Sequence, residues 1–337
     1  MKRCLARSAI LAAATLVAGF ASLSAGAEPV VLKLNTVPSE TEMTYVAVIK
    51  PFIDAVNKEG KDIVRIDAFP NGGLNRSFPQ QAQLVQDGVA DIAFILPSIT
   101  PGRFPDNGVM ELPGLSRSID ESSTLHTNLV AQNKLRGYES FFVIGAWSNP
   151  PYTIFSRKPI RSLRDLDGMK IAVSGATNAA VVSMLGAAAV PIPVNEVAEA
   201  IGRGTVDGIL IFMSPLVDYG IVRVTSTAYQ LQFGTQPIAL VMNRAKFDSL
   251  PPKAQEIIRK YSGKWTLARY VENSKKFLSD REASLKTDPK WKVVPVSAAD
   301  QKKANEVFET YYTTWFAKDP KNKELFQTAQ DELKKLR

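Results

Sequence analysis

The chain has 337 residues, 45% of them hydrophobic and 22% charged, with a formal net charge of +8. This length suggests about two domains, with enough apolar residues for packed cores that need no disulfide staples. A single cysteine, Cys4, excludes intrachain disulfides and thiolate metal clusters. The basic residues near the C-terminus alternate with acidic ones, as on solvated helix faces and unlike a nucleic-acid patch.

The N-terminus sets the compartment. Lys2, Arg3 and Arg7 precede an apolar run over residues 9–23, which ends in Ala25-Gly26-Ala27. This is the pattern of a cleaved signal peptide, with the mature chain starting at Glu28. The run is too short and too alanine-rich for a spanning anchor, which needs about 20 strongly apolar residues. Cleavage would remove Lys2, Arg3 and Arg7, lowering the charge from +8 to +5, and would remove Cys4 as well. Cys4 precedes the apolar run, so it is not a lipoprotein cysteine. The expected location is the bacterial periplasm.

Beyond the signal, short apolar runs alternate with amphipathic stretches. Residues 30–35 read as a strand, and 42–58 as a helix with Tyr45, Val48, Ile49, Phe52 and Val56 at helical spacing. Residues 62–69 are a strand, Pro70-Asn71-Gly72-Gly73 a loop, 77–88 a helix and 90–96 a short buried strand. This β-α-β-α-β order predicts a mostly parallel sheet flanked by helices. A second such unit follows, with strands at 141–147, 152–155, 169–173 and 206–212 and helices at 178–186 and 194–203. Further strands fall near 227–233 and 238–243. From Pro252 to about Lys286 there is one glycine, Gly263, and no proline after Pro252. This reads as one long helix of about 50 Å, or as two helices broken at Gly263. A strand at 292–295 and helices from Ala298 close the chain.

Signatures of catalysis are sparse. His126 is the only histidine, and we read it as a surface or capping residue, since a base needs positioned partners. Asp165 and Asp167 sit beside Gly168, where a turn accounts for them. There is no Gly-rich phosphate loop and no zinc-finger spacing, so neither cofactor, metal nor nucleic acid is expected.

The informative segments are strand-to-helix turns, because open α/β sheets bind ligands outside the carboxyl ends of their strands. Candidate binding residues on this ground are Asn35, Pro97, Ser98, Arg103, Ser174, Thr177, Asn178, Phe212 and Met213. The aromatics Trp147, Tyr152, Phe155 and Phe233 and the nearby Gln236 join them. The turn Ser174-Gly175-Ala176-Thr177-Asn178 reads equally as an anion site at a helix N-terminus and as simple N-capping by Thr177 or Asn178.

Along these turns the chain resembles the DctP-like extracytoplasmic substrate-binding subunits of tripartite ATP-independent periplasmic (TRAP) transporters. The matching segments are Phe69-Pro70-Asn71-Gly72-Gly73-Leu74, Gln86-Asp87-Gly88-Val89-Ala90-Asp91-Ile92 and Arg157-Lys158-Pro159-Ile160. They continue through Asp165-Leu166-Asp167-Gly168-Met169-Lys170-Ile171 and Ala200-Ile201-Gly202-Arg203-Gly204-Thr205-Val206-Asp207-Gly208. Val241-Met242-Asn243-Arg244 and Asp248-Ser249-Leu250-Pro251 complete the series. The resemblance implies an α/β, two-lobed periplasmic binding protein fold with a long helix spanning both lobes. It also implies a cleft ligand and a two-component membrane permease as partner. Two departures stand out: Ala172 occupies the position where the family typically has a carboxylate-binding arginine, and Tyr152 takes the place of a second one.

The resulting expectation is a monomeric, non-enzymatic receptor for a small organic acid, an aromatic or apolar monocarboxylate in preference to a dicarboxylate. Lobe I is expected over 28–150 and 234–268, lobe II over 151–233 and 269–297, with C-terminal helices over 298–337 packing on both. A periplasmic sensor module and an exported hydrolase using His126 are the alternatives.

Overall fold

The computed structural model describes residues 28–337, and the expected signal peptide over 1–27 lies outside them. The first sheet is built from β1 (Val30–Asn35), β2 (Val64–Phe69), β3 (Ile92–Ile95) and β4 (Phe141–Ser148). Helices α1 (Lys50–Glu59), α2 (Gln81–Gln86) and α3 (Ile119–Ala131) connect them. The second sheet contains β5 (Thr153–Ser156), β6 (Lys170–Val173), β7 (Ala188–Pro191), β8 (Gly208–Ile211) and β9 (Thr227–Tyr229), with α4 (Ala176–Met184), α5 (Val194–Gly202) and α6 (Met213–Asp218). The chain then returns to the first sheet through β10 (Pro237–Asn243), continues as α7 (Arg244–Asp248), α8 (Pro252–Lys260) and α9 (Lys264–Thr287), and adds β11 (Lys292–Val294) to the second. Helices α10 (Ala298–Phe316) and α11 (Asn322–Lys334) end it.

The strand orders are β2-β1-β3-β10-β4 and β11-β9-β5-β8-β6-β7. All four residues of β3 and of β8 are buried, as expected of interior strands covered on both faces. β10 runs antiparallel to both its neighbours, and so does β5. These are the strands the chain enters after crossing between sheets. The β7 edge strand escaped the sequence reading because Ala188-Ala189-Val190-Pro191 offers neither alternation nor a long apolar run.

Two crossing segments join the lobes and pair with each other. Asn149 N–H donates to Gln236 O at 3.0 Å, Tyr152 N–H to Gly234 O at 3.1 Å, and Phe233 N–H to Tyr152 O at 3.0 Å. Gly234 also packs on the segment ending at Glu111, so closely that a Cβ there would lie 1.9 Å from the Glu111 carbonyl oxygen. No side chain fits.

The long helix differs from the single-rod expectation. Gly263, at φ +59°, separates α8 from α9, a conformation that costs glycine little. Its N–H instead donates to Ile144 O of β4 at 2.8 Å. The remaining α9, about 36 Å long at 1.5 Å per residue, still spans both lobes. It packs on α3 and β4 of the first lobe and on α6 of the second, with Lys275 paired to Asp120 at 2.6 Å. α10 packs on α4 of the second lobe and α11 on α3 of the first.

His126 corrects its surface assignment. It is fully buried on α3, its Nδ1 2.6 Å from Trp147 O and its Nε2 3.3 Å from Tyr138 Oη. Burial pulls its pKa from 6.5 down to about 4. Both ring nitrogens are engaged in tying α3 to the first lobe's core.

Candidate functional site

The parallel strands of the two lobes direct their carboxyl ends toward a cavity of about 730 Å³ between them. From the first lobe the loop after β1 supplies Val37, Pro38, Glu42 and Thr44, and the residues after β3 supply Leu96 and Ile99. From the second lobe come Ser174 after β6, Ile192 and Pro193 after β7, and Phe212 after β8. The crossing segments contribute Asn149, Tyr152 and Gln236. This is the ligand position expected of open α/β sheets, with a volume in the usual range for small-molecule sites.

Aromatic pairs form opposite walls. Phe78 and Phe94 meet at 6.2 Å in the first lobe, while Tyr152 and Phe212 stack at 5.9 Å with their planes 17° apart. Tyr152 is a permanent hydrogen-bond donor: burial pushes its pKa up, Glu111 adds to this, and the Ser174 hydroxyl opposes it. Gln236 Nε2 donates to Ser98 Oγ at 2.6 Å, and Asn149 Oδ1 accepts from Tyr270 Oη at 3.2 Å.

Two carboxylates border the same cavity, Glu42 and Asp218. Glu42 Oε2 accepts from Thr44 N–H at 2.8 Å and Tyr45 N–H at 3.3 Å, and its Oε1 accepts from the Thr44 hydroxyl at 3.3 Å. Burial nevertheless pushes the Glu42 carboxyl from 4.5 up to about 7, with a smaller push from Asp218. Asp218 Oδ2 accepts from Ser214 Oγ at 2.8 Å. Burial raises its pKa too, against the pull of Arg281 on α9. Glu111, behind Tyr152, is also raised by burial, opposed by the hydroxyls of Ser98 and Thr177 and by Lys318. Among the residues lining the cavity there is no lysine and no arginine.

Of the sequence candidates, Tyr152, Ser174, Phe212 and Gln236 line the cavity, and Ser98 stands behind Gln236. The others lie elsewhere. Asn35 is fully buried, donating to Gln81 Oε1 at 2.7 Å and accepting from Leu74 N–H at 3.0 Å, so it secures the loop after β2. Arg103 is not among the residues lining the cavity; its Nη2 donates to Gln83 Oε1 at 2.7 Å, and its Nη1 is buried without a hydrogen-bond partner. Trp147 is fully buried against Tyr270, their ring centroids 5.4 Å apart. Phe155 packs edge-on against Trp291, and Phe233 packs on Phe308. Pro97 is buried beside the cleft, and Met213 borders a smaller cavity against α9.

Of the two readings of the turn at Ser174, the structure excludes N-capping by Thr177 or Asn178. Gly175, at φ +84°, occupies the N-cap without a side-chain bond, and α4 starts at Ala176. Thr177 and Asn178 therefore lie within the helix. Thr177 Oγ1 accepts from Tyr311 Oη at 2.9 Å, and Asn178 Nδ2 donates to Ser174 O at 3.0 Å. Glu42, Asp218 and Tyr219 are lining residues that sequence reasoning missed. Glu42 could have been found by applying the strand-end rule to the loop after β1 as it was applied to the later turns.

The DctP family, bacterial extracellular solute-binding protein family 7, matches residues 34–319. The chain belongs to this family. A relative from Escherichia coli K12, the 2,3-diketo-L-gulonate-binding periplasmic protein YiaO, is 24% identical over 247 residues, 72% of this chain and 74% of that protein. A solute-binding protein of Albidiferax ferrireducens is 25% identical over 62% of this chain, and the match spans 63% of the relative's length. Among solved structures, a marine metagenome TRAP solute-binding protein specific for aromatic acid ligands, in complex with metahydroxyphenylacetate, superposes with a TM-score of 0.81. It has 23% identity and covers 91% of this chain and 99% of its own. A TRAP protein from Rhodoferax ferrireducens with copurified benzoate gives 0.80 at 22% identity, covering 91% and 98%. One from Bordetella bronchiseptica with bound mandelate gives 0.77 at 20% identity, covering 92% and 100%. The two-lobed TRAP receptor fold with its spanning helix is therefore the fold of this family member.

Proposed function

We propose that this chain is the periplasmic receptor of a TRAP transporter, capturing a small organic acid with an aromatic or apolar body and delivering it to a membrane permease. The observation that carries this reading is the interlobe cavity, walled by Phe78 and Phe94 on one side and Tyr152 and Phe212 on the other. Flat aromatic walls favour a planar or branched body through area burial and ring stacking. The acid group meets donors rather than a guanidinium fork: the Tyr152 hydroxyl, Ser174 and the N-terminal N–H groups of α4. Ala172, fully buried in β6, cannot supply the charged clamp, so a second carboxylate would enter unpaired at considerable cost. Aromatic-acid ligands of the structural neighbours support the same class. The receptor acts as a monomer in this reading and performs no chemistry on its solute. The buried, doubly engaged His126 lies away from the cavity and gives no support to a hydrolase.

Calorimetry on purified protein tests the reading. Aryl or branched 2-oxo monocarboxylates should bind more tightly than succinate or malate. Tight malate binding would refute the monocarboxylate class, and a neutral sugar as best ligand would refute the acid.

A further inference from the structure

The cleft's charge is unusual for a site that takes an acid. Glu42 belongs to the first lobe, on the loop between β1 and α1, and Asp218 to the second, at the end of α6. They border one cavity, and Asp218 is close enough to raise the proton affinity of Glu42. Backbone and hydroxyl donors fix the Glu42 carboxylate in place, and Ser214 fixes one oxygen of Asp218. The groups facing this pair are Tyr219 just after α6, Tyr270 on α9 and Arg281 on α9. Only Arg281 is cationic; its guanidinium sits 4.9 Å over the Phe277 ring, and it does not line the cavity.

When both are ionised, two like charges brought together by lobe closure repel, and more strongly as water leaves the cleft, in keeping with the raised proton affinity of both groups. A plain carboxylate adds a third negative charge to that enclosure. A ligand ammonium reverses the sign, pairing with both carboxylates at once and bridging the lobes through contacts that exist only when the cleft is shut.

We propose that the solute carries a protonated amine seated between Glu42 of the first lobe and Asp218 of the second, so that the organic acid bound here is a zwitterion: an amino acid or related amino carboxylate with an apolar or aromatic body. This rests on the receptor reading above and assigns Glu42 and Asp218 as the residues that select the ligand's positive group. Without ligand, their repulsion favours the open cleft; with it, the ammonium draws the lobes together.

The test is calorimetry with three matched probes: phenylalanine, 3-phenylpropanoate, which lacks the amine, and phenethylamine, which lacks the carboxylate. Phenylalanine should bind at least tenfold more tightly than 3-phenylpropanoate. Glu42→Gln and Asp218→Asn should each erase most of that advantage while leaving 3-phenylpropanoate binding equal or improved. Arg281→Gln should preserve it. Equal or tighter binding of 3-phenylpropanoate by the unmodified protein would overturn the proposal, as would loss of binding in Arg281→Gln alone, which would identify Arg281 as an anion ligand that swings into the cleft. If none of the three binds, a thermal-shift panel of amine-bearing acids, amine-free acids and sugars decides. Stabilisation by amine-free acids alone overturns the zwitterion and leaves the receptor reading standing. Stabilisation by no solute refutes the receptor reading itself.

Discussion

Replacing Glu42 with glutamine should change how stability depends on pH, in a direction and by an amount set by the fold. The Glu42 carboxyl titrates at 4.5 in the unfolded chain and at about 7 in the folded one, because burial disfavours its charged form. Between those values the folded state holds a proton that the unfolded state has lost, so stability falls as pH rises through that window and levels off above it. Each tenfold change in proton affinity is worth about 1.4 kcal/mol, which gives about 3 kcal/mol as an upper bound. Part of the side chain faces the cavity, and solvent there screens the effect, so about 2 kcal/mol is expected. Glutamine keeps an oxygen to accept from Thr44 N–H and has nothing to ionise. Urea denaturation of both proteins at pH 4.5, 6 and 8 would read this directly. The stability of Glu42→Gln relative to the parent should climb by about 2 kcal/mol from the lowest pH to the highest. Parallel curves, differing by less than about 0.5 kcal/mol in that gap, would show that burial does not penalise this charge.

His126 should act with the opposite sign. Its folded pKa of about 4 lies below 6.5, so the unfolded chain binds the extra proton and stability drops as pH falls through that interval; His126→Gln should flatten this acid limb in the same denaturation series. Phe212→Ala should weaken binding of any aromatic ligand by about tenfold, through lost stacking of roughly 1 kcal/mol and lost burial, as calorimetry would show, while sparing solutes without a ring. Gly234→Ala must push its Cβ into the Glu111 carbonyl, and a loss of about 2–4 kcal/mol is expected in thermal or urea unfolding. Saturating ligand should reduce the radius of gyration measured by small-angle scattering, since closure of two rigid lobes about a few hinge residues shortens the molecule; an unchanged value would contradict hinge closure.

Much of the fold was legible because strand length and helical spacing are local signals. The β1 strand was read to the residue, and most other strands to within one or two. Gly263 shows the limit. A glycine within a helical pattern costs only about 1 kcal/mol, so propensity alone leaves both a rod and a break open. The decision lies in its positive φ and its bond to Ile144 O across the lobe, contacts that no local window contains. The site was legible where strand ends announce it, as at Ser174 and Phe212, and hidden where side-chain direction decides. Trp147 stands near the end of β4, yet its ring turns into the core against Tyr270. Arg103 sits in the loop after β3, yet it does not line the cavity, and its Nη2 bonds Gln83. Glu42 and Asp218 escaped notice because a cleft expected to hold an anion gives no reason to look for carboxylates.

The crossing segments at 149–152 and 233–236 hold each other through peptide groups, not through side chains. A hinge at these segments would take its stiffness from main-chain contacts, while the chemistry of the walls would set which solute draws it shut. In the proposed receptor, wall residues outside these segments, such as Phe78, Ile192 or Phe212, could be exchanged to fit a different solute without touching the peptide contacts between them. A permease reading only the shut outline of the receptor would receive the same signal from each such variant.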